Sequence, residues 1–340
     1  MPARDAMFWS RCDGGRVRCE LCAQRCELGD GQYGLCGARR NARGTLETVS
    51  YGRLVAVHDD PIEKKPLFHY RPGSRSLSVA TCGCNLRCDF CQNHSISQCR
   101  EHDDDGMPAG ESWTPERVVR QAATARCASI SYTYTEPTVF YEYCRDVGTA
   151  ARAAGLGNVF VTNGMMTPAA VDDAADSFLD AANVDLKSFS REFYRVHCKG
   201  PLEGVKAGLE RLVERGVWVE VTTLVIPGRN DSDEELRSIA RYLAGLGRDI
   251  PWHLSRFHPD YRTRDLPPTP VDRLATARAI GQAEGLRYVY VGNVPDGEGE
   301  STSCPGCGAL VIRRVGFRAD VRGLRDGRCA KCGAAIAGRW

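Results

Sequence analysis

No stretch of this 340-residue chain approaches the ~20 consecutive apolar residues of a membrane-spanning helix. Its opening, Met1–Gly15, has no apolar run long enough for a signal peptide. Charge of one sign is also lacking. The net charge is +2, so no strong overall field steers the molecule to nucleic acid or to an anionic membrane. No G-x-G-x-x-G opens a helix after the first predicted strand, which leaves a dinucleotide-binding Rossmann domain with little support. No internal repeat is visible. Cysteine is what the chain has in plenty: 17 residues in three clusters, too many for inert packing. The clustering speaks for metal rather than a disulfide scaffold, and with no leader it places the chain in a reducing cytoplasm. The length and the 42% apolar content suit one large domain with satellites.

The central cluster lies in Thr81–Asn93, where Cys84, Cys88 and Cys91 stand as C-x3-C-x2-C. Iron–sulfur clusters normally take four cysteines. A fourth at ferredoxin spacing is missing, since Cys99 comes eight residues after Cys91. Three thiolates would hold three corners of a cube and leave one iron open to a small molecule. Zinc at Cys82, Cys84, Cys88 and Cys91 is the competing reading. It suffers because Cys82 and Cys84 are separated by one residue, where zinc pairs usually stand two to four apart. Phe90, just before Cys91, gives the loop a flat apolar lid. This loop resembles the signature of the radical S-adenosylmethionine (radical SAM) superfamily. The resemblance implies a 4Fe–4S cluster on Cys84, Cys88 and Cys91, whose open iron takes the amino and carboxylate groups of S-adenosyl-L-methionine.

The outer clusters differ in spacing. Cys19, Cys22, Cys26 and Cys36, with Cys12 just before them, follow x2, x3, x9 in a Gly- and Arg-rich segment that reads as a small metal-stapled knot. Zinc and a second iron–sulfur cluster both fit it. Near the other end, Cys304-x2-Cys307 and Cys329-x2-Cys332 are separated by twenty-one residues, a zinc-ribbon pattern. From Cys304 onward there are eight Arg or Lys against two Asp. Such a basic module caps the main domain or touches RNA or an acidic protein surface.

Between these clusters, strand alternates with helix. Strands are expected at 76–82, 129–134, 158–162, 182–186, 218–226, 252–257 and 288–291, with helices at 114–126, 139–154, 167–177, 201–215, 232–246 and 271–285. This alternation demands parallel strands with right-handed crossovers. The cluster loop follows the first strand, where a barrel places its chemistry. The expected fold is α/β: a partial (β/α)6 TIM-type radical SAM barrel over residues 71–298. An N-terminal Cys-rich segment (1–70) precedes it and a C-terminal zinc-ribbon-like module (299–340) follows. Two prolines exclude a helix at Asp60–His69. That segment is expected to pack across the mouth or edge of the barrel, with His69 structural. Glu101–Gly106 reads as a solvated acidic loop. Cys127, Cys144 and Cys198 read as buried apolar cysteines.

The strand ends converge on the cluster loop with Glu136, Thr162-Asn163-Gly164, Asp185 and Lys187 two apart on one side, the apolar Leu224–Gly228 edge, and His253, Ser255 and Phe257 on one face. Their order is similar to that of the pyruvate formate-lyase activating enzyme branch of radical SAM enzymes. By that resemblance Glu136 holds the amino group of S-adenosylmethionine, although the usual Gly-Gly-Glu is here Tyr134-Thr135-Glu136. Asn163, Asp185, Lys187 and His253 are then implied to contact the ribose, the carboxylate and the substrate side. Over nearly the whole chain, the N-terminal quartet, Asp60–His69, Cys84–Asn93 and the closing Gly338-Arg339-Trp340 resemble the radical SAM enzyme of the AmmeMemoRadiSam system.

What these resemblances imply is reductive cleavage of S-adenosylmethionine to a 5′-deoxyadenosyl radical that takes hydrogen from a substrate, first of all a protein. The implied partners are the AMMECR-like and Memo-like proteins of that system and an electron donor such as ferredoxin or flavodoxin. A small metabolite or an RNA base is the alternative substrate. A non-catalytic metal or electron-transfer protein is the third reading.

Overall fold

The protein is described by a computed structural model covering residues 3–98, 106, 108–294 and 299–340. The acidic stretch Glu101–Asp105 lies outside the described residues. Seven strands run parallel and in chain order: β1 (Arg75–Thr81), β2 (Ser129–Tyr132), β3 (Gly157–Thr162), β4 (Ala181–Asp185), β5 (Trp218–Val225), β6 (Trp252–Arg256) and β7 (Val289–Gly292). The crossover helices are α1 (Pro115–Thr124), α2 (Tyr141–Ala153), α3 (Pro168–Ser177), α4 (Leu202–Glu214), α5 (Asp233–Leu246) and α6 (Val271–Ala283). Strand Arg53–Pro61 pairs antiparallel with β1, and Glu111–Ser112 lies beyond it. The two outermost strands, β7 and Glu111–Ser112, are not neighbours in the sheet, so it stays open. This is the expected partial (β/α)6 barrel.

The helices begin where side chains satisfy free amides. Thr114 accepts from the Arg117 amide with Pro115 at the first helical position, and Ser232 accepts from the Glu235 amide at the start of α5. In α5, Leu236, Ile239, Ala240 and Leu243 fall on one stripe and are buried. The strands sort their residues by period two. Leu77, Val79, Ile130, Tyr132, Val184, Val221, Trp252 and Leu254 face the helices in the main core. The alternate positions carry Ser78, Ser131, Asn183, Glu220 and His253, buried but polar. Such polar groups are tolerable only with partners. Ser78 donates to Asp60, Thr222 to Asn183, and His253 meets Glu220 at 2.7 Å.

The Asp60–Tyr70 segment runs under the barrel rather than over its mouth. Ile62, Leu67 and Tyr70 pack with Val159 and Ala181 at the strands' N-terminal ends. The Phe68 and His69 amides both donate to the Glu220 carboxylate. The ribbon seals this floor from outside: His69 Nδ1 meets the Ala337 carbonyl and Nε2 the Tyr290 hydroxyl, both at 2.6 Å. Phe68, Tyr288 and Tyr290 share an apolar cluster with Val311, Ile312 and Ile336 of the ribbon. The N-terminal segment forms two small three-stranded sheets. It docks beside the strands' C-terminal ends through Ala23 on the Met165 carbonyl and Thr167 on the Leu21 carbonyl. Among the described residues no helix is long and apolar enough to cross a membrane.

Candidate active site

The cluster loop leaves β1 and is pinned from several sides. The Arg87 amide bonds the Cys198 carbonyl at 2.8 Å and the Asp89 amide the His197 carbonyl at 3.0 Å. Both partners sit on a π-helical turn, Tyr194–Cys198, after β4. Asp89 also takes His197 Nδ1 at 2.8 Å and Arg229 at 3.0 Å. At the rim Gln92 meets His258 at 2.9 Å.

The loop forms one end of a cavity of about 510 Å³ at the strands' C-terminal ends. Cys84, Cys88, Cys91 and Phe90 line it, as do Glu136, Asn163, Asp185, Lys187 and Leu224. Leu224 aside, the structure thus brings together eight of the nine residues that the sequence offered as cluster ligands or S-adenosylmethionine contacts. His253 is the ninth, and it does not line the cavity. It lies one turn of the pleat below Ser255, captured by the buried Glu220 carboxylate.

Glu136 is buried, and burial pushes its carboxyl up. Four donors hold it back: the Thr138 amide and hydroxyl, the Thr162 hydroxyl at 2.7 Å, and the Asn163 amide at 2.8 Å. Glu136 therefore ties the end of β2 to the end of β3. Asp185 and Lys187 face the cavity and bond each other at 2.8 Å. The Lys187 ammonium stands 6.0 Å from the Phe90 ring.

Several lining or supporting groups carried no sequence signal. Tyr134 takes the left-handed conformation that favours glycine, with φ +63°. Its hydroxyl bonds Asp60, and Lys65 Nζ lies 4.5 Å from its ring and 2.7 Å from Asp60. Burial pulls Lys65 down to about 8 against that ion pair. Burial would raise Asp60, but donors from Lys65, Tyr134 and Lys64 hold it far below the usual carboxylate range. Cys198 reaches Cys88: its hydrogen bond, with burial second, pushes the Cys88 thiol well up. Nothing in the spacing of Cys198 marks it; only the turn after β4 delivers it there. Cys144, by contrast, is fully buried and its thiol donates to the Pro137 carbonyl at 3.7 Å, as a packed cysteine does.

A sequence-family model described as the radical SAM superfamily matches residues 78–243. The chain is 44% identical over 336 residues to the "uncharacterized protein MJ0808" of Methanocaldococcus jannaschii, covering 98% of each. The chain belongs to the radical SAM superfamily. Solved structures agree in fold. A radical SAM methyltransferase from Sphaerobacter thermophilus matches 86% of this chain and 77% of its own with a TM-score of 0.51 at 18% identity. Streptococcus suis SuiB bound to S-adenosylmethionine matches 72% of this chain and 56% of its own with a TM-score of 0.51 at 13% identity.

A radical SAM enzyme needs a 4Fe–4S cluster and S-adenosylmethionine, and the donors present fit both. The three cavity thiols each carry a donor or a cation nearby: the Leu86 amide 3.4 Å and Asn163 Nδ2 3.7 Å from Cys84, the Ser97 hydroxyl 3.1 Å from Cys91, and the Lys187 charge beside Cys88. Hydrogen bonds to sulfur and nearby cations are what thiolates on iron require. The cavity beside them pairs an apolar wall, Phe90 and Leu224, with an ion pair. In the ribbon, Cys304, Cys307, Cys329 and Cys332 hold their sulfurs within 4.8 Å of one another. The Gly306 amide stands 3.4 Å from Cys304, and backbone amides of Cys332 and Lys331 draw the Cys329 thiol down to about 7. This is the donor set of a single tetrahedral ion.

Proposed function

We propose that the chain cleaves S-adenosylmethionine reductively and uses the product to take hydrogen from a protein substrate, as an activating-type radical SAM enzyme. The observation that carries the reading is the single cavity that joins Cys84, Cys88 and Cys91 to the strand-end polar groups. When bound, the cluster supplies one electron to the sulfonium, releasing methionine and a 5′-deoxyadenosyl radical. The chain's own residues bind, orient and exclude water. Cys84, Cys88 and Cys91 hold the cluster. Phe90 and Leu224 offer flat apolar surface for an adenine, and Lys187 and Asp185 offer opposite charges for an amino acid group. Glu136 sets the spacing between the ends of β2 and β3.

Protein rather than RNA is favoured by where the basic tail lies. The ribbon packs on the floor of the barrel through His69, at the opposite end from the cavity, so its arginines do not line the site. We assign zinc to the ribbon quartet, a ferredoxin or flavodoxin as electron donor, and AMMECR-like and Memo-like proteins as the partners to try first. The sixteen described cysteines are free of disulfides, in keeping with a reducing cytoplasm.

The test is anaerobic reconstitution followed by reduction with dithionite. The electron paramagnetic resonance signal is expected to shift on adding S-adenosylmethionine, and 5′-deoxyadenosine to accumulate. Deuterium from a labelled partner protein should then appear in the 5′-deoxyadenosine. No inorganic sulfide at the cavity triplet, with zinc in its place, would end the catalytic reading. Label arriving only from a small-molecule extract would end the protein-substrate reading.

A further inference from the structure

The N-terminal cysteines are packed directly against the cluster loop. Cys19, Cys22, Cys26 and Cys36 line one small enclosed pocket whose remaining wall includes Leu21, Leu35 and Val139. Their sulfurs are not gathered as the ribbon's are. Among the described residues the ribbon is the one group of three or more metal-type ligands drawn within 4.8 Å. Four thiols set around an apolar pocket, but spread more widely than one ion allows, match the corners of a larger body. Donors surround them. The Ala38 amide stands 3.5 Å from Cys36 Sγ, and the buried Arg39 guanidinium stands 3.8 Å from Cys19 Sγ. Arg39 is itself held by Glu142 and by the Met7 carbonyl.

The two cysteine sets share a wall. Gly83 at φ +107° lies so close to the Cys36 carbonyl that a Cβ there would meet its oxygen at 2.5 Å. Arg87 donates to the Leu35 carbonyl, and Gln24 Nε2 to the Asn85 carbonyl at 2.7 Å. Asn85 stands between the sets. Its side chain is 1% exposed, and its oxygen takes Asn163 Nδ2 at 2.7 Å on the Cys84 side. Its Nδ2 has no full hydrogen-bond partner. It lines the quartet's pocket and is turned toward Cys22.

We infer that Cys19, Cys22, Cys26 and Cys36 hold a second 4Fe–4S cluster, placed to pass an electron to the cluster of the cavity. The inference rests on the radical SAM reading for that second partner. In the transfer one electron leaves the quartet's cluster and enters the cavity's. The first is oxidised and the second reduced by one charge, and no bond or proton moves. A low-potential carrier protein of the ferredoxin or flavodoxin class then returns the electron to the quartet.

Metal counts on the full chain separate this inference from the reading it rests on. Reconstituted wild type should hold about eight irons and about eight sulfides besides the ribbon's metal, and a Cys84→Ala/Cys88→Ala/Cys91→Ala chain about half of each. A Cys22→Ala/Cys26→Ala chain should also keep about half, and its signal should still shift with S-adenosylmethionine. In the reduced wild type the two signals should broaden each other, a splitting that neither variant shows. If the triple-alanine chain keeps no sulfide, or holds one extra zinc, the inference falls while the cavity cluster stands. If wild type carries both clusters without magnetic interaction, the transfer role falls. Circular dichroism at matched melting temperature guards the counts against misfolded variants. A Cys26→Ser chain that regains iron through its oxygen is a second check on the same ligand.

Discussion

The Arg87 amide, beside Cys88, bonds the Cys198 carbonyl at 2.8 Å, so the π-helical turn that carries Cys198 is tied to the cluster loop. Once Cys88 ligates iron as a thiolate it has no proton to give, so the Cys198 S–H is the group that can donate, and donors to a ligating sulfur stabilise the reduced, more negative cluster. Cys198→Ala is therefore expected to leave the iron count unchanged and lower the cavity cluster's potential, on the order of tens of millivolts. A redox titration followed by electron paramagnetic resonance reads this. An unchanged potential would leave Cys198 as packing alone.

Cys88→Ala removes one of three thiolates and should abolish S-adenosylmethionine cleavage, with the loss of about half the bound iron. Cys304→Ala should keep the cavity cluster and loosen the ribbon, which limited proteolysis would show as cleavage after residue 299. Retained cleavage activity in Cys88→Ala would mean that the ligands have been misassigned.

Tyr134 holds a strained backbone through its hydroxyl on Asp60. Tyr134→Phe leaves the buried Asp60–Lys65 pair short of a donor and should cost about 1.5–3 kcal/mol in denaturant unfolding. Tyr134→Gly removes the backbone strain, roughly 1 kcal/mol or more, yet loses the ring as well. It is expected to be less stable than wild type. Equal stability of Tyr134→Phe and wild type would show that the hydroxyl adds nothing.

His69 supplies the pH dependence. Burial holds it down to about 4, with Glu220 opposing, and Arg314 and His253 also facing it. Tyr290, Tyr288, Trp218 and Trp340 close the remaining sides. The unfolded side chain takes its proton near its ordinary value and the folded one only near 4. Stability is therefore whole above the unfolded value and is lost as pH falls between the two. The loss should reach roughly 3 kcal/mol at most. His69→Gln should flatten this part of the stability profile. A variant with the wild-type slope would place the titration elsewhere.

Gly83→Ala should separate the two cysteine loops, since its Cβ meets the Cys36 carbonyl and its φ of +107° excludes other residues. A drop in iron content at both the triplet and the quartet is expected, with roughly 2–4 kcal/mol of stability lost. Normal iron at both sites would show that the loops do not depend on each other.

Much of this architecture could be read from the residues. Five of the six barrel helices are amphipathic, α6 being the exception, and caps such as Thr114 and Ser232 mark their starts, so their order and the parallel sheet were legible. The cluster loop and the ribbon announced themselves by spacing. Period two also put His253 on the inner face. What it does not give is height along the strand, and at that height Glu220 claims the imidazole. The strand Arg53–Pro61 and the floor segment after it were legible only as turns and short strands. Their burial depends on partners such as Glu220 and Ala337, far away in sequence. Asn85 and Cys198 act through neighbours that only the assembled loops supply.

Sealing the floor joins residue 69 to residue 337. During synthesis the barrel's strands can pair in order as they emerge, yet Phe68, Tyr288 and Tyr290 stay wet until the ribbon has been made and has closed over them. If the ribbon folds only around the ion proposed for it, metal supply at that end sets when the floor of the barrel becomes rigid. With zinc as that ion, a zinc-starved cell would accumulate chains whose iron chemistry is intact in principle but whose lower side invites chaperones.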